Sequence, residues 1–121
     1  MPGSDPAAPR RRLAILCCMD CRVDPLEVLG LRPEDAHVLR NAGARPTRDV
    51  ARSLAQSQLA LGTRQVLVMG HTDCRALEVP GDPGRSVRQA VRKISASEEI
   101  PHRAAVRGVV LDIDEGVLLP A

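Results

Sequence analysis

The sequence contains no Phe, Tyr or Trp. A core must then be built from Leu, Val, Ile, Ala and Met, which bury less area per residue than aromatic rings. Marginal stability as a monomer is expected, with help from a metal or a second subunit. The same absence removes the stacking platforms that hold single-stranded nucleic acid. Charge of one sign is also missing. With 17 basic and 15 acidic residues, the formal net charge is +2, too balanced for a nucleic-acid face. No apolar run approaches the length that spans a bilayer. The opening "MPGSDPAAP" has no apolar core of an export signal, so a cytoplasmic protein is expected. There is no internal repeat either.

The chain has 121 residues, of which 44% are hydrophobic. That is enough for one domain with a modest core and too apolar for a disordered segment. Residues 1–10 read as a flexible arm rich in Pro and Ala, leaving residues 11–121 as the single domain. "LAILCCM", Leu13 to Met19, is a short buried-strand pattern. Asp24 and Pro25 then start a short helix that Gly30 stops. A second strand is expected over Ala36 to Arg40, and "NAGARP" after it reads as a loop.

Thr47 is placed to cap a helix from Arg48 to Leu61, whose Val50, Leu54 and Leu61 share one face. "RQVLVMG", Arg64 to Gly70, is the clearest strand, and "HTDC" follows it directly. "EVPGDPGR" reads as a turn-rich linker, and a helix is expected from Ser86 to Ser95. "VRGVVLDID" is a last strand, with Gly116 turning into a tail. Strands alternating with helices predict an α/β fold: a mainly parallel central sheet of about four to five strands flanked by helices.

In such a sheet, ligands gather beyond the carboxyl ends of the strands. Cys18 to Cys21 closes the first strand, and His71 with Cys74 follows the third. Two thiolates and an imidazole meeting there make a donor set suited to zinc. Two counts of ligands are possible. Cys18, Cys21, His71 and Cys74 give four donors and a closed structural site. Cys18, His71 and Cys74 give three and leave a position for water or Asp20. If the strand runs on past its end, Cys18 and Asp20 share a face and Cys21 points away, which favours the open count. A third reading makes Cys18 and Cys21 a thiol redox pair, although a helix starts later than that motif usually requires.

Several neighbouring residues have plainer readings. Cys17 reads as a small buried hydrophobe. His37 and His102 have no metal-like neighbours, and Arg88, Arg92 and Lys93 read as a solvated helix face. Asn41 and Gly43 read as a glycine turn with a capping asparagine.

"CMDCR", "RNAGA" and "GHTDCRA" together resemble the zinc-site signature of the β-class carbonic anhydrases, in order and in loop position, over Leu13 to Leu77. The resemblance implies that Cys18, His71 and Cys74 are the metal ligands and Zn2+ the cofactor. It implies that Asp20 and Arg22 are the catalytic carboxylate–guanidinium pair beside the metal, and it offers Asn41 and Gly43 as cleft wall, the alternative to a plain turn. The implied reaction is the reversible hydration of carbon dioxide to bicarbonate and a proton, on water made acidic by zinc. If Arg22 released Asp20, the carboxylate would fill the open position and switch the site off.

A homodimer or higher homo-oligomer is implied, with carbon dioxide or bicarbonate as the small-molecule partner and neither nucleic acid nor membrane. Hydrolysis of carbonyl sulfide or carbon disulfide is a variation within the same fold. A non-catalytic domain around a closed site of three cysteines and one histidine is the other alternative. The chain departs from the family pattern in four ways. Cys21 stands where Ser or Ala is usual, Arg75 stands where Gly is usual, the chain is short, and the cleft aromatics are absent.

Overall fold

The computed structural model describes residues 5–74 and 81–121. Arg75 and part of the linker after it lie outside the described residues. The first strand, β1, spans Leu13–Cys18. It is followed by a short helix, α1, over Pro25–Leu29, capped by the Asp24 side chain. After a single 3-10 turn come β2, Ala36–Asn41, and helix α2, Arg48–Leu61. Strand β3 covers Gln65–His71, helix α3 covers Pro83–Ser95, and strands β4 and β5 cover Val106–Asp112 and Val117–Pro120.

The sheet order is β2-β1-β3-β4-β5. The first four strands are parallel and β5 returns antiparallel to β4. This is the expected mainly parallel α/β arrangement at the upper strand count. Several boundaries differ from the sequence reading by one to three residues, β2 ending at Asn41, β3 starting at Gln65 and β4 ending at Asp112 among them. β1 stops at Cys18, one residue early, and β3 keeps His71 within its last position. α3 begins three residues early, because Asp82 accepts hydrogen bonds from the N–H groups of Gly84 and Arg85, 3.0 and 3.4 Å long, with Pro83 at the first turn. The tail expected after Gly116 is instead β5, joined to β4 by a turn in which the Asp112 carboxylate accepts from Asp114 and Glu115 N–H.

Alternation along the strands sorts the core onto two faces. Ala14, Leu16, Val66, Val68 and Val110 meet Val50 and Leu54 of α2 and Val87, Ala90 and Ile94 of α3. On the opposite face Ile15, Cys17, Met69 and Leu111 pack with Val23 and with partly buried residues of α1. α2 holds its place through the Thr47 cap at its start and Gly62 after its end. Its buried Gln58 bonds both ways to the backbone of His102, 2.8 Å each, which anchors the segment leading into β4.

The chain before β1 is tied to β2 and to the 3-10 turn that precedes it. Arg10 and Arg11 N–H donate to the carbonyls of Glu34 and Asp35. His37 Nε2–H donates to the Ala7 carbonyl at 2.9 Å, while its Nδ1 lies 2.7 Å from Ser57 Oγ. His37 is therefore a packing residue, as its lack of metal-like neighbours suggested.

Candidate metal centre

Parallel pairing brings the ends of β1, β2 and β3 to one edge, because the registers run Cys18 to Asn41 and Cys17 to Met69. The donor atoms of Cys18, His71 and Cys74 lie within 4.8 Å of one another there. The two sulfurs are 3.8 Å apart. Among the described residues, neither Cys21 nor Asp20 belongs to that group.

The alternation argument for excluding Cys21 does not apply, since the chain leaves the strand at Met19. A turn closed by Val23 N–H to the Asp20 carbonyl, 3.0 Å, takes over, and Cys21 lies exposed on it. The four cysteines, all among the described residues, form no disulfide.

Each donor is aimed by backbone chemistry. His71 Nδ1–H donates to the Thr72 carbonyl at 2.7 Å, which leaves Nε2 as the lone-pair nitrogen. That Nε2 is buried and has no hydrogen-bond partner among the described residues. A buried imidazole nitrogen without a partner costs free energy unless something accepts its lone pair. A metal ion held also by two sulfurs does so, and the donor set fits a thiophilic ion that favours four-coordination.

Cys18 Sγ accepts the Gly43 N–H at 3.3 Å. Gly43 and Ala44 both have left-handed backbone, φ 84° and 52°, which turns that N–H toward the sulfur. Asn41 locks the same loop, its side chain exchanging two 2.8 Å hydrogen bonds with the Arg45 backbone. Asn41 is thus a turn residue, whereas Gly43 faces the centre. On the other side Asp73, also left-handed at φ 51°, swings the chain so that Cys74 returns toward Cys18. Asp tolerates that conformation better than most residues. Thr72 ties this loop to the sheet, donating from its N–H to Leu111 and accepting the Ile113 N–H at its hydroxyl, 3.0 Å each.

Asp20 and Arg22 do form a pair. Arg22 Nε and Nη2 donate to the two carboxylate oxygens at 3.0 and 2.7 Å, and the Arg22 N–H adds a bond of 2.9 Å. These hydrogen bonds hold the Asp20 carboxyl well below the usual carboxylate range, and those Arg22 donates to Asp20 and then Asp73 keep the guanidinium above its ordinary value. Arg22 also reaches the second loop, donating to Asp73 Oδ2 at 3.1 Å and to the Asp73 carbonyl at 2.8 Å. One guanidinium therefore fastens the Cys18 turn to the Cys74 loop.

The sequence reading missed Arg40. From β2 it donates to the carbonyls of Cys18, Asp20 and Val23 at 3.0, 2.9 and 2.7 Å, gripping the whole turn that carries the first donor. Its signal was an arginine at the start of "RNAGA", on the strand end that pairs with β1.

A cavity of about 140 Å³ opens at the three donors. Gly43, Ala44, Gly70, Pro83 and Val87 form much of its remaining wall, with Asp73 at the polar side. Asp20 and Arg22 do not line it; Arg22 joins it through Asp73.

A family model described as carbonic anhydrase matches residues 13–107. The chain is 35% identical to Beta-carbonic anhydrase 1 of Mycobacterium tuberculosis, an alignment covering 96% of this chain and 85% of the relative. A solved carbonic anhydrase from Streptococcus mutans superposes with a TM-score of 0.86 at 36% identity, covering 96% of this chain and 84% of that one. A shorter stretch, 72 residues, is 50% identical to a carbon disulfide hydrolase of Saccharolobus solfataricus, covering 60% of this chain and 35% of the relative.

Proposed function

The chain belongs to the β-carbonic anhydrase family, and from that premise we propose that it interconverts carbon dioxide and bicarbonate with zinc held by Cys18, His71 and Cys74. The observation that carries this reading is the meeting of those three donors at a small cavity, with His71 Nε2 buried and unpartnered among the described residues. When bound, zinc supplies the Lewis acidity that ionises water near neutral pH.

The chain's own residues do the rest. Gly43 N–H offsets part of the negative charge that two thiolates gather, and the Thr72 carbonyl fixes the imidazole tautomer. Asp20 is the proposed catalytic carboxylate: Arg22 keeps it ionised, so it serves as a fixed acceptor on the turn that follows Cys18. Arg22 orients it through two parallel hydrogen bonds. Ala44, Pro83 and Val87 offer an apolar wall to a small uncharged substrate. The exposed position of Cys21, outside the donor group, weighs against the closed structural alternative.

A second reading, hydrolysis of carbon disulfide or carbonyl sulfide at the same centre, is favoured by the stretch shared with the carbon disulfide hydrolases. A homodimer and a reducing, cytoplasmic setting complete the proposal; four cysteines without a disulfide suit such a compartment. The test is zinc analysis combined with a carbon dioxide hydration assay on wild type and Asp20→Asn. The expected outcome is one zinc per chain in both proteins and a loss of about a hundredfold or more in kcat/KM for the variant. Full activity in Asp20→Asn would remove that carboxylate from the mechanism, and a metal-free, inactive wild type would remove the reading itself.

A further inference from the structure

We propose that Val87 is the size filter of the cavity, the side chain that decides how large a linear carbon dioxide-like molecule can reach the metal donors. The inference rests on the catalytic reading of the same cavity and adds a specificity-determining residue to it.

Val87 is 2% exposed and stands on the first turns of α3, where it lines the cavity together with Cys18 and His71. Its two methyl groups are seated on bare backbone. A Cβ placed on Gly70 would lie 2.5 Å from Val87 Cγ2, and one on Gly108 would lie 2.4 Å from Val87 Cγ1. Gly70 is in β3 and Gly108 in β4, on strands that pair directly. Both methyls therefore occupy a socket that exists only because two adjacent strands lack side chains there. Val91 closes over the same place, 3.1 Å from the position a Gly108 Cβ would take.

A β-branched side chain is stiff at χ1. With one methyl seated on each strand, a change of χ1 rotamer would lift a methyl off its glycine and forfeit that contact. The wall therefore does not yield to a larger ligand by a rotamer change. The other apolar lining residues, Ala44 and Pro83, are short or ring-closed and also have little room to adapt. Candidate substrates of this site are uncharged linear molecules of one carbon flanked by oxygen or sulfur. They offer little for hydrogen-bond recognition, so discrimination falls to shape. In an apolar pocket one methylene more or less is worth about 10- to 200-fold in discrimination. Val87 is placed to exert that discrimination against sulfur, which is larger than oxygen and forms longer bonds to carbon.

The experiment uses the full zinc-loaded chain and measures kcat/KM for carbon dioxide and for carbon disulfide. Xenon binding, read by NMR on the same proteins, reports the cavity without any turnover. Val87→Ala is expected to raise the carbon disulfide to carbon dioxide ratio by about tenfold or more and to bind xenon more tightly. Val87→Ile, which fills instead of emptying, is expected to lower the ratio and keeps the test open if the alanine form fails to fold. Val87→Thr, nearly the same shape, is expected to keep the wild-type ratio. An active wild type whose ratio is unmoved in Val87→Ala and Val87→Ile overturns the filter alone. Unchanged xenon affinity in Val87→Ala overturns the assignment of Val87 to the wall. A zinc-loaded wild type that turns over neither compound overturns the catalytic reading and the filter with it.

Discussion

Cys17 and Cys18 are neighbours in the chain and opposites in surroundings. Cys17 packs with Ile15, Val23 and Met69, and burial pushes its thiol up to about 11, with Arg40 pulling partly the other way. Cys18 faces the donor group with the Gly43 N–H on its sulfur. Cys21 is exposed and outside that group. Thiolates, and not thiols, react with alkylating agents, so the positions should separate chemically. Iodoacetamide at pH 8 on the native zinc-loaded protein is expected to label Cys21 and leave Cys17 untouched, as read by mass spectrometry after proteolysis. Labelling of Cys17 at a comparable rate would contradict its burial. At this scale much was legible beforehand, because residue type and strand parity already separated Cys17 from Cys18. The place of Cys21 was reached by a reason the structure replaces: a turn, not strand alternation, carries it outward. Arg40 was not legible, since its role depends on three backbone carbonyls whose positions only the folded turn defines.

Local signals served the elements unevenly. α2 appears with the expected bounds because Thr47, the apolar stripe and Gly62 agree with one another. α3 was read three residues late, although Asp82-Pro83 repeats the Asp24-Pro25 start that marked α1; surrounding prolines and glycines gave it the look of a linker. β5 was read as a tail, because four residues after a turn carry no period of their own and gain strand structure only by pairing with β4. The turn between β1 and α1 depends on a residue of another element. Replacing Arg40 with Met removes a side-chain donor from three carbonyls, leaving that of Asp20 its Val23 N–H, and is expected to lower unfolding free energy by about 1–3 kcal/mol, read from urea titration. Zinc affinity should fall in parallel, since the turn positions Cys18. Arg40→Lys should not rescue fully, because one ammonium cannot reproduce the planar fork. A variant that keeps wild-type stability and zinc affinity would show that the grip is incidental. A second element-scale prediction concerns Gly108, which is remote from the donors. Gly108→Ala sets a Cβ 2.4 Å from Val87 Cγ1, so α3 must lift from the sheet, and a loss of about 1–3 kcal/mol is expected on thermal or urea unfolding.

Across the whole molecule, two core faces made without a single aromatic ring must sustain the fold. The α2 and α3 face is well covered, while the opposite one is shielded by a five-residue helix and loops. Such a domain gains from any ligand that binds only the folded state. Chelating the metal is therefore expected to lower the thermal midpoint by on the order of 10 °C, given about 2.7 kcal/mol from a hundredfold ligand excess. Scanning calorimetry with and without chelator checks it, and equal midpoints would mean that the metal contributes nothing to folding. The overall architecture was legible, since alternating strands and helices admit few topologies, and the clustering of chemistry at strand ends followed from it. The apolar cavity was not, because Val87, Gly70 and Gly108 meet only through sheet pairing and the height of a helix above it. The spacing of the donors along the chain has a consequence for biosynthesis. Cys18 emerges early, but His71 and Cys74 come from the far side of α1, β2 and α2. On the proposed ligand set, a growing polypeptide that has not yet reached β3 would offer an ion a lone sulfur from this trio, so loading would wait until synthesis has passed Cys74 and the third strand has docked beside the first.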